Sequence, residues 1–176
     1  MTFHRLRSAL AVGAGLLTLL ATAATAPASA AEGTQLQLQV KYRGKCLTIA
    51  NGSLRNGAHA IEGDCDSAVL HQVFRMRADD KPGWELAAAH SGRCLAYRPS
   101  QSAAVVQEWC NGSTAQRWSY EFLEGGEKNR LQLRPVDAPK ECVTLGGTSP
   151  GEEPAAYVVE CFDNMPSQEW RLAFVN

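Results

Sequence analysis

Apolar and polar residues alternate in three widely separated stretches of the chain: Leu36, Leu38 and Val40, then Trp84, Leu86 and Ala88, then Leu131 and Leu133. A period of two places the apolar members on one face of a β-strand. A second β-prone run begins at a cysteine each time, as Cys46-Leu47-Thr48-Ile49, Cys94-Leu95-Ala96-Tyr97 and Cys142-Val143-Thr144-Leu145. Turn formers come next: Asn51-Gly52-Ser53 with Asn56-Gly57, then Pro99-Ser100, then a longer stretch over residues 146–154. They lead into a third strand that ends at a second cysteine. A fourth carries a Gln-x-aromatic string, Gln72-Val73-Phe74, Gln116-Arg117-Trp118 and Gln168-Glu169-Trp170. Residues 31–176 hold no 3.6-residue apolar period, so twelve short strands are predicted and no helix longer than a turn.

The parts recur in one order three times, the mark of an internal repeat. Cys46, Cys94 and Cys142 stand 48 residues apart, and Cys65, Cys110 and Cys161 follow them by 19, 16 and 19 residues. The copies run approximately over residues 35–79, 80–127 and 128–176. Twelve strands could form a sandwich, but a threefold repeat of this length favours a closed, pseudo-threefold arrangement that removes sheet edges. Cysteine count alone leaves the pairing open. Symmetry between the copies selects Cys46–Cys65, Cys94–Cys110 and Cys142–Cys161, each contributing about 3 kcal/mol by restricting the unfolded chain. Zinc binding is the competing use of cysteine, but no two lie within the short spacing of structural zinc ligands.

The first thirty residues fall outside this pattern. His4, Arg5 and Arg7 precede an apolar run over residues 9–24, and Ala28-Ser29-Ala30 supplies a small-residue cleavage motif. Residues 1–30 therefore read as a secretory signal peptide and residues 31–176 as one domain. A membrane anchor is the alternative, countered by Gly13, Gly15, Thr18 and Thr22 within the run and by the lack of a stop-transfer pattern. Export would let the cysteines oxidise. Two of the seventeen Lys and Arg lie in the leader, leaving fifteen against eighteen acidic residues with no basic stripe. Nucleic acid and anionic membrane are thus poor partners. Nothing in the chain calls for a cofactor or metal, and nothing encodes an oligomer, so a monomer is expected.

With Gly-Lys-Cys-Leu at residues 44–47, Gly-Arg-Cys-Leu at 92–95 and the in-phase Gln-x-aromatic strings, the chain resembles the ricin-type lectin domain over roughly residues 36–174. The resemblance implies an all-β, β-trefoil fold: six strands form a short barrel, six hairpin strands cap it, and up to three shallow sugar pockets lie outside. It also gives Gln72, Phe74, Gln116, Trp118, Gln168 and Trp170 structural roles. The aromatic is core, and the glutamine amide satisfies backbone groups.

Sugar contacts, by the same resemblance, belong to three other positions of each copy. An Asp two residues after the first cysteine accepts from hydroxyls, an aromatic two residues before the second stacks on the sugar ring, and an Asn precedes the motif Gln. A hexose suits this set because it offers adjacent hydroxyls and a patch of C–H groups. The first copy holds Thr48, Gly63 and His71 there, and the second Ala96, Glu108 and Ala115, so neither keeps any of the three groups. Trp109 lies one residue off the platform position; strand neighbours face opposite ways, and burial is its expected role. The third copy holds Thr144, Val159 and Ser167, whose two hydroxyls could bond a polar ligand. Tyr157 should share the face of Val159 and serve as a displaced platform, with Asp163 and Asn164 in the following loop. A plain exposed tyrosine beside a polar turn is the bland alternative. Loss of the carboxylate removes a charge-assisted hydrogen bond of roughly 1.5–3 kcal/mol, so weakened or non-standard sugar specificity is expected.

Catalysis finds no motif here. His59, His71 and His90 sit in no metalloprotease or nucleophile-elbow string, and Asp79-Asp80 and Glu152-Glu153 read as carboxylates that solvate loops. The expectation is a secreted, non-catalytic module whose partner is a glycan or polysaccharide. The alternative is a trefoil that has lost sugar binding and recognises a secreted or surface protein, as a protease inhibitor would, through loops such as residues 146–154.

Overall fold

The structure, a computed structural model, describes residues 33–124, 129–146 and 154–175. The leader expected over residues 1–30, the Glu152-Glu153 pair and most of the 146–154 stretch lie outside them. The twelve strands are β1 Thr34–Val40, β2 Cys46–Ile49, β3 Ala58–Gly63, β4 Phe74–Arg77, β5 Glu85–Ala88, β6 Cys94–Arg98, β7 Ala104–Glu108, β8 Trp118–Phe122, β9 Leu131–Pro135, β10 Glu141–Leu145, β11 Ala156–Glu160 and β12 Trp170–Phe174. Antiparallel pairing runs β5–β4–β1–β12–β9–β8, and a bridge between Trp84 and Trp118 joins the two ends. Six strands thus close a barrel with no free edge. The other six form the hairpins β2–β3, β6–β7 and β10–β11. These meet one another, with Ala58 opposite Gln107, Ala104 opposite Tyr157, and Ile61 bridged to Ala155. No helix among the described residues is long and apolar enough to cross a membrane.

Burial follows the alternation of the sequence. Leu36, Leu38, Val40, Leu131 and Leu133 lie in the core, as do Leu47, Leu95 and Val143, each next to its first cysteine. Phe74, Trp118 and Trp170 fill the interior once per copy and are at most 1% exposed. Both indoles satisfy their N–H, Trp118 by donating to Leu95 O at 3.1 Å and Trp170 to Val143 O at 2.8 Å. All six cysteines form the bridges that symmetry selects, Cys46–Cys65, Cys94–Cys110 and Cys142–Cys161, so no thiolate remains to bind a metal.

The motif glutamines occupy short turns ahead of β4, β8 and β12 rather than the strands themselves. From there each amide replaces a missing ladder pair around the second cysteine. Gln72 accepts from Asp66 N at 2.9 Å and donates to Asp64 O at 2.7 Å. Gln116 accepts from Asn111 N and donates to Trp109 O, both at 2.8 Å. Gln168 accepts from Phe162 N at 2.8 Å and donates to Glu160 O at 2.9 Å. The third strands accordingly stop one or two residues short of the cysteine, because the groups flanking it bond to a side chain instead of to a neighbouring strand.

Asp79 also departs from expectation. Arg117, with its side chain 2% exposed, donates to both oxygens of Asp79 and to the carbonyls of Lys81, Pro82 and Gly83. Asp79 therefore anchors the crossover from the first copy to the second. Its hydrogen bonds from Arg117 hold its carboxyl below the usual range.

Candidate functional site

The outer positions of the first two copies are taken up by contacts with neighbouring side chains. In the first, Thr48 is buried, and a Cβ placed at Gly63 would come within 3.1 Å of Gln72 Nε2 and 3.3 Å of Thr48. A side chain at this position would press on Gln72 and Thr48. His71, at the amide position, packs edge-on against His90 with ring centroids 5.9 Å apart. Burial first, and the neighbouring His90 second, lower its pKa, which disfavours a charged imidazole. In the second copy Ala96 is buried and Glu108 accepts from Arg98 Nε at 2.7 Å. That ion pair occupies the platform position.

Trp109 is the clearest departure from the sequence reading. It lies just past the end of β7 and is 65% exposed rather than buried. Arg93 sits over its ring at 4.0 Å, and Asn56 Oδ1 accepts from both Trp109 N at 3.0 Å and Arg93 Nε at 2.8 Å. A carboxamide from the first copy thus holds the indole outward. Sequence reasoning had no means to see this contact between copies.

The third-copy candidates divide into three groups. Thr144 is 3% exposed, and its hydroxyl accepts from Gln168 Nε2 at 3.0 Å while donating to Cys142 O at 3.4 Å. Its hydrogen-bonding capacity is engaged within the scaffold, so it is a structural residue in this fold. Asp163 and Asn164 are exposed and line a cleft of about 490 Å³ with Lys41, Phe122, Arg130 and Glu169. Lys41 pairs with Glu169 at 2.9 Å there. Tyr157 and Ser167 line a different cleft of about 340 Å³, which they share with Tyr42, Leu145, Gly146 and Pro166.

This second cleft joins elements from two copies. Tyr157 lies on β11 directly opposite Thr144 of β10, so the strand pair fixes its register. Val158 and Ala156 on either side of it are buried, which leaves Tyr157 on the outward face with Val159. Tyr42 comes from the turn between β1 and β2, where Tyr42 N donates to Pro166 O at 3.0 Å and so ties that turn to the loop before Ser167. Arg43 lies 4.7 Å over the Tyr42 ring. Two phenols and a serine around apolar Leu145 and Pro166 can stack on a C–H face and bond hydroxyls, the Tyr42 hydroxyl already accepting from Arg43 at 3.0 Å, with no carboxylate among the described lining residues. Tyr42 was absent from the sequence-based candidates because nothing in the repeat marks it.

Comparison with known proteins bears out the architecture. No curated protein matches the chain. Among solved structures, the designed threefold-symmetric protein ThreeFoil superposes with a TM-score of 0.68 at 23% identity, over 80% of this chain and 99% of that one. The C-terminal domain of an earthworm lectin, solved as a mutant with 6′-sialyllactose, gives 0.59 at 12% identity over 81% and 99%. An exo-β-1,3-galactanase from Clostridium thermocellum gives 0.66 at 20% identity, covering 81% of this chain but 30% of the enzyme. At these identities the likeness concerns fold. The family profile described as the ricin-type beta-trefoil lectin domain matches residues 34–170, nearly the whole of the described trefoil. The chain belongs to the family of ricin-type beta-trefoil lectin domains, a carbohydrate-binding fold.

Proposed function

We propose that this protein is a secreted, non-catalytic carbohydrate-binding module of non-standard specificity, and that its saccharide lies in the third-copy cleft between Tyr42, Tyr157 and Ser167. One observation carries the reading: the single aromatic that stays on the platform face of its strand, Tyr157, shares a cleft with a second phenol and a hydroxyl. The family's carboxylate position holds buried Thr48, Ala96 and Thr144, so recognition there would rest on stacking and neutral hydrogen bonds. Three disulfides support an oxidising destination. The engagement of Asp79 by Arg117 and of Glu108 by Arg98 supports a structural use of carboxylates rather than a catalytic one. The test is a glycan array with binding to insoluble polysaccharides, run beside Tyr157→Ala. A signal lost in the variant supports the proposal; no signal above that variant overturns it. N-terminal sequencing of secreted protein should begin at Ala31, and a start at Met1 would contradict export by cleavage.

Trp109 favours a second reading, a protein-binding trefoil. An exposed tryptophan stacked with an arginine is the pair of residue types that dominates protein interfaces. A protease-inhibition panel addresses it: inhibition abolished by Trp109→Ala would support it over the saccharide reading.

A further inference from the structure

Tyr157 also lines a second cleft. This one is about 440 Å³ and is lined by His59, Gln101, Ser102, Ala104, Ala155 and Ala156 together with Tyr157. It lies where the three capping hairpins meet, since Tyr157 pairs with Ala104, His59 with Val106, and Ile61 bridges Ala155. Each hairpin contributes to it. The alanines leave space, while the imidazole, the amide and the hydroxyl supply donors and acceptors.

The turn that carries Gln101 and Ser102 is held in an unusual conformation. Ser102 and Ala103 have φ of 51° and 56°, the left-handed region that L-residues with a Cβ seldom adopt. The turn is fixed from both ends, with Ala104 N donating to Gln101 O at 3.0 Å and Val158 N donating to Ala103 O at 2.9 Å. That second bond ties the turn to the residue next to Tyr157. Backbone strain that persists because neighbouring structure enforces it gathers at ligand-contacting sites.

The charge content of the clefts separates them. The Asp163 cleft is lined by Lys41, Glu121, Glu124, Arg130 and Glu169 as well, whereas neither cleft beside Tyr157 has a Lys, Arg, Asp or Glu among its described lining residues, and Arg43, which stacks on Tyr42 and donates to its hydroxyl at 3.0 Å, is paired with Glu62 at 3.6 Å. Both have the size of a small-ligand pocket, and they share one aromatic wall. We infer that the two form one site for a neutral oligosaccharide of at least two sugar units, laid across Tyr157. One unit sits on the Tyr42 and Ser167 side, and the next meets His59, Gln101 and Ser102. This rests on the saccharide reading of Tyr157 and extends it to ligand length and charge.

The experiment is calorimetric titration of the intact secreted protein with β-linked oligomers of glucose, galactose and N-acetylglucosamine, one to four units each, beside a galacturonic acid oligomer of matching length. Affinity for the preferred neutral series should rise about tenfold or more from one unit to two or three, the worth of one further stacked and hydrogen-bonded ring, and then level off. The acidic series should bind more weakly. His59→Ala and Gln101→Ala should each flatten the gain with length by about three- to tenfold, the worth of one hydrogen bond. Tyr157→Ala should remove binding of every length, and Tyr157→Phe, which keeps the ring, should retain the length dependence and guards against a folding defect. Equal affinity for one and several units, or a length gain untouched by His59→Ala and Gln101→Ala, overturns the extended site and leaves the Tyr42 cleft standing. Absence of binding to any saccharide overturns both.

Discussion

In the second copy the aromatic nearest the platform position is Trp109, one residue late; in the third it is Tyr157, two residues early. The scaffolds beneath are equivalent: Trp118 and Trp170 are both buried with bonded indoles, and Gln116 and Gln168 clamp the cysteine in the same way. Strand geometry makes the difference. An even displacement keeps a side chain on the same face, and an odd one loses it. Tyr157 therefore stays on the outer face and borders two clefts, while Trp109 passes beyond β7 to be held by Arg93 and Asn56, and Glu108 fills the vacated position with Arg98. A repeat can keep its interior while its outer aromatic shifts by two residues, provided the barrel beneath does not depend on the outer side chains.

The equivalence of the scaffolds is the easiest part to break. Trp118→Ala and Trp170→Ala should each cost about 3–5 kcal/mol in urea unfolding, since each removes a buried ring and orphans a carbonyl. A copy that tolerates the change would show that the interiors are unequal. The clamps should differ more subtly. Gln168→Ala is expected to cost about 1–3 kcal/mol, and more than Gln116→Ala, because Gln168 also donates to the Thr144 hydroxyl. Equal losses would mean that Thr144 contributes nothing to the clamp. The Arg98 side chain of the Arg98–Glu108 pair is 42% exposed, so Arg98→Ala should cost about 1 kcal/mol and should create no saccharide binding, Ala96 and Ala115 being apolar. A gain of binding there would break the comparison.

The pH response should be modest and two-sided. Burial, and then the hydrogen bond to Glu141, push Tyr97 up to about 12, above its ordinary 10.0. Its neutral form is favoured in the fold, so that contribution is intact below pH 10 and declines as pH rises through about 12. His71 and Asp79 are shifted down, from 6.5 and 3.8 respectively. Their contributions are present above those values and are lost as pH falls through the lowered ones. Melting temperature should fall at both extremes. Tyr97→Phe should flatten the alkaline limb, and His71→Gln the first part of the acid limb.

Much of the trefoil was legible because its signals are local or periodic. The alternation around Leu36, Leu131 and their neighbours, the 48-residue cysteine spacing and the Gln-x-aromatic strings need no knowledge of distant contacts. The candidate site was legible only where it follows strand parity, as Tyr157 does. Thr144 looked available because its hydroxyl is polar, yet its partner Gln168 is reached only through the folded clamp. Asp163 and Asn164 are close to Tyr157 in sequence but turn into a separate, charged cleft. Tyr42 enters from the first copy, and Trp109 is held outward by Asn56 of a different copy. Contacts between copies are absent from a pattern that repeats within each one.

The most direct test of the account is a crystal structure of the protein soaked with the neutral oligosaccharide that binds best in solution. Density crossing Tyr157, with one sugar against Tyr42 and Ser167 and the next against His59 and Gln101, is the predicted result. Density at Trp109, or in the charged cleft of Asp163 and Asn164, with both sides of Tyr157 empty would contradict it.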